Sequence, residues 1–464
     1  MNKVYKAKQP IWAVMNVILV TIDCLRADHL SCMGYIRNTS PFIDTLAKEG
    51  MVFSEAIVNG AGTFASFTAL LTSTYPFMRG GFEKLNRKTI AEVLKKRGYR
   101  TAGFNDNGFL SPYFGFDRGF DYFNCLSVQQ KKTQIGKLLD KFRKVVGDIA
   151  QMTFGSDCNM NGKTVTKLVL DWLKENYKYD FFLWIHYMDV HGPHYAPRSY
   201  YTKIGVKPPS LIELYKLNRK LGNNPSELYK KGEISNKDIE LLKNTYDAEI
   251  RYVDDCVSKL FNTLDSLGIK KKTTLIIAGD HGEEFFEHGG YHSNLNLYDE
   301  MIRIPLIIYG PNVPKKRVNT QVRQIDIAPT ILKILNEDCE IDFLGKDLID
   351  NAGSKYVITE AAYYSISGDR SGKIVDIDFS LRKTSIRAEI NGQKWKYIYC
   401  MKHKVEEFYN LTKDPLERNN LIKSKKNTIA KEILEELENI LMLHLKREEE
   451  EKRLKTKLKL LKIK

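Results

Sequence analysis

Short apolar runs rich in β-branched residues alternate along most of the chain with segments that have helical periodicity or helix-end residues. Five runs have the composition of buried strands: NVILVTID (16–23), RTAGFN (100–105), FFLWIHYMD (181–189), TTLIIAGDHG (273–282) and RIPLIIYG (303–310). Four segments are typical of helices: 40–50, 89–99, 163–177 and 246–268. This alternation predicts an α/β fold, with a large, mostly parallel sheet flanked by helices on both faces.

The pattern changes after residue 345. Asn391-Gly392 separates two strand-like runs within residues 385–400, and this dipeptide is typical of a β-hairpin. The last forty residues are dominated by Lys, Glu, Leu and Ile, which favours a solvated or self-associating helix over one that docks on a membrane or a partner. We predict three parts: a main domain (14–345), a small antiparallel C-terminal subdomain (346–424) and a charged helical tail (425–464).

Composition narrows the class of protein. The 464 residues are 43% hydrophobic and carry a formal net charge of +15. Lysines are spread along the chain without a basic stripe interleaved with aromatic residues, so we expect no nucleic-acid partner. Seven cysteines without a CxxC pair favour a reduced, cytoplasmic protein. The apolar run at 11–22 is too short to span a bilayer and lacks a signal-peptide cleavage pattern, so we expect a buried strand there.

Residues able to bind metal follow three of the predicted strands. Asp23 ends the first, Asp189 and His191 follow the third, and Asp280 and His281 follow the fourth. A single Asp in such a position is usually the N-cap of the next helix. Three strand ends on one edge of a parallel sheet, two of them carrying Asp and His, instead indicate a divalent-cation site.

A further candidate opens a predicted helix. In the stretch GAGTFASFTALLTSTYP (60–76), Thr63 follows two small residues at the point where the helix begins. A Thr hydroxyl is inert at neutral pH unless a base or a metal lowers its pKa. Backbone N–H groups at a helix start can stabilise an anion, so Thr63 is a candidate nucleophile.

Several of these stretches together resemble the sulfatase branch of the alkaline phosphatase superfamily, over roughly residues 14–422. The segments that carry the resemblance are NVILVTIDCLRADHLSCMGY, SPFIDTLAKEGMVFSEA, LLTSTYP, FFLWIHYMDVHGPHYAP, AGDHGEEFFEHGGYH, LYDEMIRIPLIIYGP, VRQIDIAPTIL, WKYIY and EEFYNLTKDPLERNNL. The resemblance implies an alkaline-phosphatase-like sandwich: a large, mostly parallel sheet flanked by helices, plus a small antiparallel subdomain.

The resemblance also implies roles for individual residues. Asp23, Asp280 and His281 match the metal ligands, and Thr63 stands at the position of the nucleophile, which also contacts the metal. The cation expected is Zn²⁺ or Mn²⁺, with Ca²⁺ and Mg²⁺ as alternatives. Further residues match substrate or second-metal positions, or partners that orient a metal ligand: His191, His292 and Asp189.

Two departures from the sulfatase pattern concern the nucleophile. Sulfatases carry Cys or Ser in a Cys-x-Pro-x-Arg motif, which is oxidised to formylglycine. Here Thr63-Phe64-Ala65-Ser66-Phe67 stands in its place, and Thr cannot form that aldehyde. The Gly-Lys-Trp-His segment that grips sulfate is also missing. A Thr nucleophile resembles phosphodiesterases and the phosphoethanolamine and lipoteichoic-acid transferases, although residues 414–421 keep the sulfatase ending.

The sequence therefore predicts a metal-dependent, sulfatase-like hydrolase of phosphate or sulfate esters that acts through Thr63. A phosphoethanolamine-type phosphotransferase and a non-catalytic binding protein are the alternatives, and the C-terminal segment disfavours a phosphomutase. The substrate is expected to be a small anionic ester. The Tyr-rich stretch HYAPRSYYTKIG (194–205) suggests a glycan or a lipid headgroup, with pocket-shaping loops at 126–160 and 199–245. The C-terminal helix is the candidate for self-association or a surface contact.

Overall fold

The large sheet is built around β1, whose seven residues are all buried. The computed structural model describes residues 16–78, 84–127, 161–292, 296–366, 374–402, 404–422 and 428–461. Most of the predicted loop at 126–160 lies outside these ranges. The strands of the large sheet are β1 (Asn16–Ile22), β2 (Met51–Ile57), β3 (Arg100–Asn105), β4 (Tyr122–Cys125), β5 (Phe181–Tyr187), β6 (Thr273–Gly279), β7 (Arg303–Tyr309), β8 (Lys316–Val318) and β9 (Val322–Arg323).

The order of this sheet is β4-β3-β5-β1-β6-β7-β2-β8, and β9 also pairs with β2. β1 is parallel to both of its neighbours, β5 and β6. Among the described strands of this large sheet, only β7 runs antiparallel to both strands beside it. Apolar residues pack on both faces of the sheet in two large clusters. The predicted α/β architecture is confirmed.

Helices cover both faces of the sheet. Their bounds in chain order are α1 (Pro41–Glu49), α2 (Thr63–Thr72), α3 (Ile90–Lys96), α4 (Gly162–Asn176), α5 (Arg198–Lys203), α6 (Leu211–Leu221), α7 (Pro225–Lys230), α8 (Asn236–Ser266), α9 (Asp299–Ile302), α10 (Ile327–Ile334) and α11 (Thr428–Leu461). None of the helices in the described ranges has both the length and the apolar character needed to cross a membrane.

The segment 199–245, expected to form loops, is mainly helical. Capping boxes start two of its helices, since Ser210 and Ser235 each accept a hydrogen bond from the backbone three residues later. The tyrosines suggested to mark a substrate pocket are buried instead: Tyr201 is 1% exposed and its hydroxyl contacts Thr245. The Tyr-rich stretch therefore packs the core, and it gives no support for a glycan or lipid substrate.

The C-terminal part is a four-stranded antiparallel sheet in the order β10-β11-β12-β13. Its strands are β10 (Tyr356–Ile366), β11 (Ile374–Ile390), β12 (Gln393–Cys400) and β13 (Val405–Asn410). The turn between β11 and β12 has φ of +53° at Asn391 and +69° at Gly392, as in the tight turns that favour this dipeptide. The predicted hairpin is confirmed.

The C-terminal helix α11 packs on this small sheet. Ile433, Leu437 and Leu441 repeat every four residues, are buried, and contact the apolar face of the sheet. Leu443, two residues after the last of them, is 65% exposed. The expectation of a solvated helix is therefore wrong for this half of α11, because its sequence contains an apolar stripe that the abundant Lys and Glu obscure. Self-association of the helix stays a prediction.

Glu360, on β10, connects α11 to the large sheet. Its backbone N–H donates to Asn59 at 3.1 Å, and its carbonyl accepts from Ala61 at 2.9 Å. Its carboxylate accepts from the backbone of Phe77 at 3.0 Å and lies 2.7 Å from the imidazole of His444 on α11. The stretch that contains α2 is thus held at both ends by one buried glutamate.

Candidate active site

The carboxyl ends of the two central parallel strands bring three of the predicted metal ligands together. β1 and β6 are paired in register, with Ile22 opposite Gly279, so Asp23 and Asp280 leave the sheet side by side. His281 Nε2 lies 3.7 Å from Asp23 Oδ1 and 3.6 Å from Asp280 Oδ2. All three side chains are buried. We call Asp23, Asp280 and His281 the Asp–His cluster.

Thr63 is the first residue of α2, and its hydroxyl faces this cluster. Thr63 Oγ1 lies 3.4 Å from His281 Nε2. Gly62, just before it, has φ of +86°, a backbone conformation that residues with side chains rarely adopt. One turn later, the Ser66 hydroxyl donates to the backbone carbonyl of Asp280 at 2.7 Å. This hydrogen bond between Ser66 and the backbone of Asp280 fixes the start of α2 against the Asp–His cluster.

The other hydroxyls of this stretch have structural roles. Thr68 donates to the carbonyl of Phe64 at 2.8 Å, and Thr72 donates to the carbonyl of Thr68 at 2.6 Å. These bonds satisfy buried hydroxyls within a helix whose ten residues are all buried. Thr63 differs from Thr68 and Thr72 because its oxygen faces an imidazole and two carboxylates.

Burial and the surrounding charges shift the pKa values of Asp23 and Asp280 in opposite directions. Burial and the nearby Asp23 raise the pKa of Asp280 to about 6. Burial also acts to raise the pKa of Asp23, but the imidazoles of His191 and His186 outweigh it and hold that pKa well below its ordinary value. Two acidic groups are thus forced into one buried site, where a cation would relieve their repulsion.

The Asp–His cluster has the free ligand atoms that a divalent cation needs. Asp280 Oδ1 accepts hydrogen bonds from the backbone N–H groups of Cys24 and His281, at 3.0 and 2.8 Å. Asp280 Oδ2, by contrast, is buried and has no hydrogen-bond partner. His281 Nδ1 donates to the carbonyl of Gly282 at 2.8 Å, so its Nε2 carries a lone pair toward the carboxylates. The donor set fits a borderline divalent cation.

Two residues that orient the Asp23 carboxylate were not identified from the sequence, and neither was Cys24, which belongs to the second group described below. His186 Nε2 and Asn107 Nδ2 both lie within hydrogen-bond distance of Asp23 Oδ2, at 3.2 and 3.1 Å. Thr21 Oγ1 lies 3.1 Å from the other ring nitrogen of His186. A histidine inside an apolar strand was a usable signal for His186. Asn107 follows β3 in a loop, and nothing in the sequence distinguishes it from the asparagines around it.

A second group of ligand-type atoms lies beside the first. Cys24, His191 and His292 place the sulfur and one nitrogen of each ring within 4.8 Å of one another. The two rings are perpendicular, with centroids 4.4 Å apart. Burial acts to lower the pKa of His292, but the buried Glu283 carboxylate, 2.9 Å from its Nδ1, outweighs burial and raises the pKa to about 9. We call Cys24, His191 and His292 the Cys–His cluster.

Asp189, predicted to belong to a second metal site or to orient a histidine, lies at a helix start. Its Oδ1 accepts from the backbone N–H of Gly162, the first residue of α4, at 2.9 Å. Burial raises the pKa of this carboxyl to about 7. Among the residues that the structure describes, the groups with metal-ligand spacing do not include Asp189. The carboxylate stabilises the first turn of α4, and the structure does not bring it into either cluster.

Comparison with protein families gives two matches. A family model described as sulfatase matches residues 15–337. A model described as the C-terminal region of N-sulphoglucosamine sulphohydrolase matches residues 286–443. The second match extends into α11, which the resemblance read from the sequence had left out.

Two curated relatives cover most of the chain. An arylsulfatase of Clostridium perfringens is 24% identical over an alignment of 481 positions that covers 94% of this chain and 95% of that protein. An N-acetylglucosamine-6-O-sulfatase of Bacteroides thetaiotaomicron is 23% identical over an alignment of 504 positions that covers 91% of this chain and 85% of that protein. Among solved structures, the phosphonate monoester hydrolase of Agrobacterium radiobacter superposes with a TM-score of 0.69 at 18% identity, covering 93% of this chain and 96% of that chain. This structural match shows a shared fold.

Proposed function

This chain belongs to the sulfatase family and is an ester hydrolase, and we propose that it cleaves phosphate or sulfate esters through Thr63 with a bound divalent cation. One observation carries the proposal. Thr63 Oγ1 lies 3.4 Å from His281 Nε2, at a cluster where Asp280 Oδ2 is buried without a hydrogen-bond partner. A hydroxyl, an imidazole and an unused carboxylate oxygen thus meet in one place.

The residues that would hold the cation are Asp23, Asp280, His281 and the Thr63 oxygen. A cation bound there would lower the pKa of the Thr63 hydroxyl and polarise the ester. Zn²⁺ and Mn²⁺ suit this mixture of carboxylate and imidazole ligands, with Ca²⁺ and Mg²⁺ as alternatives. Asn107 and His186 fix the orientation of the Asp23 carboxylate through its Oδ2.

The protein's own groups account for the covalent chemistry. Thr63 Oγ attacks the phosphorus or sulfur of the ester, an Oγ–P or Oγ–S bond forms, and the bond to the leaving alcohol breaks. The proton lost by Thr63 passes, through a base or solvent, to the leaving alkoxide. Water then attacks the modified threonine, which regenerates the hydroxyl and releases the free anion. N–H groups at the start of α2 stabilise the charge that develops on the transferred group.

The single oxygen of Thr63 favours phosphate over sulfate esters. Formylglycine hydrate has a second hydroxyl that expels sulfate from the covalent intermediate. A sulfated threonine has no such group, and its sulfate is released only when water attacks the sulfur. A phosphorylated threonine can be released by activated water. We therefore propose that phosphate esters are the better substrates, although the relatives named above are sulfatases.

We propose that His191 and His292, whose ring centroids lie 4.4 Å apart beside Cys24, act on the leaving group. Two roles fit their position: donating a proton to the leaving alkoxide, or holding a second cation. The relative named as an N-acetylglucosamine-6-O-sulfatase supports a sugar as the group that carries the ester. A lipid headgroup is the alternative carrier.

A phosphotransferase is the second candidate, and the observation that favours it is the threonine at position 63. The same phosphothreonine would form, but an alcohol would accept the phosphoryl group in place of water. Adding a simple alcohol such as glycerol to a phosphodiester assay distinguishes the two reactions. A hydrolase releases one phosphate monoester for each alcohol that leaves, whereas a transferase yields a new diester in which glycerol has replaced that alcohol.

The experiment that tests the proposal is acid quenching of the metal-loaded enzyme during turnover of an aryl phosphate, followed by mass spectrometry of its peptides. We expect one phosphoryl group on Thr63 in the wild type and no turnover by Thr63→Ala. Thr68→Ala is the matched control, since Thr68 lies in the same helix but donates to the carbonyl of Phe64. Full activity of Thr63→Ala, or a covalent group on another residue, would contradict the proposal.

A further inference from the structure

The Cys–His cluster has the arrangement of a catalytic zinc site. Cys24 Sγ and one ring nitrogen each of His191 and His292 lie within 4.8 Å of one another. Closing three such atoms around one Zn²⁺, with Zn–S near ~2.3 Å and Zn–N near ~2.0 Å, requires only small side-chain movements. A thiolate and two imidazoles are also the donors that select zinc over calcium, magnesium or manganese.

Both histidines have one ring nitrogen fixed and the other available. His191 Nδ1 contacts the backbone carbonyl of Gly192 at 2.5 Å, and His292 Nδ1 contacts the carboxylate of Glu283 at 2.9 Å. A carbonyl and a carboxylate only accept hydrogen bonds, so each Nδ1 carries a proton and each Nε2 is the ring atom left to bind a metal. A metal-binding histidine is typically held by this kind of bond from its other nitrogen.

Two hydrogen bonds fix the backbone of Cys24 and so position its thiol. Its N–H donates to Asp280 Oδ1 at 3.0 Å, and its carbonyl accepts from the hydroxyl of Tyr246 at 2.6 Å. Cys24 has φ of +57°, and His292, on the other side of the group, has φ of +50°. Left-handed backbone at residues other than glycine is costly and concentrates at functional sites. Two of the three proposed ligands are held in this conformation.

The cluster is open on one side. Cys24 is buried, whereas the side chain of His292 is 32% exposed. Zinc sites that catalyse reactions have three protein ligands and keep one position for water or substrate, whereas structural sites are closed by four. Cys24 Sγ lies 3.2 Å from Asp23 Oδ1, so a metal here would be adjacent to the Asp–His cluster.

We propose that Cys24, His191 and His292 bind a second metal ion, Zn²⁺, whose open position faces the leaving group or the attacking water. This inference rests on the proposed function, because it assumes that a first metal ion is bound at the Asp–His cluster next to this site. Zinc binding replaces the thiol proton, which is released to solvent as the S–Zn bond forms. Because this site contains a sulfur ligand, it should select zinc more strongly than the Asp–His cluster does. The two sites can therefore hold different metals.

Metal content and cobalt spectroscopy test the inference without using activity. The full-length protein is stripped with a chelator, reloaded with Zn²⁺ or Co²⁺, and analysed for bound metal. We expect two equivalents of metal in the wild type and in Cys339→Ser, a control at an exposed cysteine. Cys24→Ala should bind one equivalent and should lose the sulfur-to-cobalt charge-transfer band in the near ultraviolet. Asp280→Asn should also lose one equivalent but keep that band.

The outcomes separate this inference from the proposed function. One equivalent in the wild type, unchanged in Cys24→Ala and lost in Asp280→Asn, would overturn the zinc site and leave the first metal site standing. One equivalent whose sulfur band disappears in Asp280→Asn would place Cys24 on the first metal and would also overturn the inference. His292→Ala, which alters a partly exposed side chain, should reproduce the loss of one equivalent if Cys24→Ala does not fold.

Discussion

Replacing Asp280 with Asn should separate the stability of the metal-free protein from its ability to bind metal. In the folded, metal-free protein, burial and Asp23 raise the pKa of Asp280 from 3.8 to about 6. Each tenfold change in an acid's dissociation constant is worth about 1.4 kcal/mol. Ionised Asp280 therefore costs the metal-free fold up to about 3 kcal/mol at pH values well above 6.

Asn keeps the shape of this side chain and removes its charge. The amide oxygen can accept the two backbone N–H bonds that Asp280 Oδ1 now accepts, from Cys24 and His281. We expect metal-free Asp280→Asn to exceed the metal-free wild type in free energy of unfolding by about 1–3 kcal/mol near neutral pH. On adding metal, the wild type should gain stability while the variant gains little, and the variant should lose most of its turnover.

The difference in free energy of unfolding between the metal-free variant and the metal-free wild type should depend on pH, and the pKa of Asp280 fixes the sign of that dependence. Because the folded-state pKa of Asp280 lies above its unfolded value of 3.8, the cost is absent below the unfolded pKa and reaches its full size as pH rises through the folded one. The advantage of the metal-free variant should therefore shrink as the pH falls from neutral toward 4. Asp265→Asn is the control, since that side chain is 69% exposed and its change should stay within about 0.5 kcal/mol.

Denaturant unfolding in chelator and in excess metal, at several pH values, measures each of these quantities. An Asp280→Asn variant that gains as much stability from metal as the wild type does would refute the assignment of this residue as a ligand. A metal-free variant clearly less stable than the metal-free wild type would refute the electrostatic reasoning.

Three further predictions concern the nucleophile, its support and the C-terminal helix. Thr63→Ser should retain part of the turnover that Thr63→Ala loses, because the hydroxyl remains; initial rates with an aryl phosphate would show this. Asn107→Ala should weaken metal binding less than Asp23→Ala does, because Asn107 contacts the carboxylate of a proposed ligand and is not itself a proposed ligand; metal titration compares the two, and equal losses would contradict it. Leu437→Ala, at a fully buried site, should lower the free energy of unfolding by about 2–5 kcal/mol, whereas Leu443→Ala, 65% exposed, should change it by less than about 0.5 kcal/mol; similar losses in the two variants would mean that α11 does not pack as described.

Hydrophobic patterning predicts five of the nine strands described in the large sheet, β1, β3, β5, β6 and β7, because buried strands are continuous apolar runs. The shorter or less apolar strands β2, β4, β8 and β9 lie outside the five predicted runs. NVILVTID, for example, was predicted over 16–23 and forms β1 over Asn16–Ile22. The helix predicted over 246–268 begins ten residues earlier, since the capping box at Ser235 starts it in a polar stretch. Apolar periodicity shows where a helix is buried and does not show where it begins.

The site could be predicted where residues follow strands of one sheet. Asp23 and Asp280 meet because β1 and β6 are paired in register, and a parallel sheet with those strands as neighbours makes that contact almost unavoidable. Asn107 and Cys24 could not be assigned in the same way, since the direction of a loop side chain depends on backbone torsions that the sequence does not display. Asp189 follows a strand as Asp23 does, yet it turns to the start of α4.

The most direct test of the central claim is the ratio of kcat/KM for two substrates that share one aryl leaving group, one a phosphate ester and the other a sulfate ester. The measurement uses the wild-type enzyme reloaded with each candidate metal, since the identity of the ion affects both reactions. If Thr63 is the nucleophile, its single oxygen should make the phosphate ester the better substrate with every metal that supports turnover. Efficient cleavage of the aryl sulfate together with poor cleavage of the aryl phosphate would contradict the account.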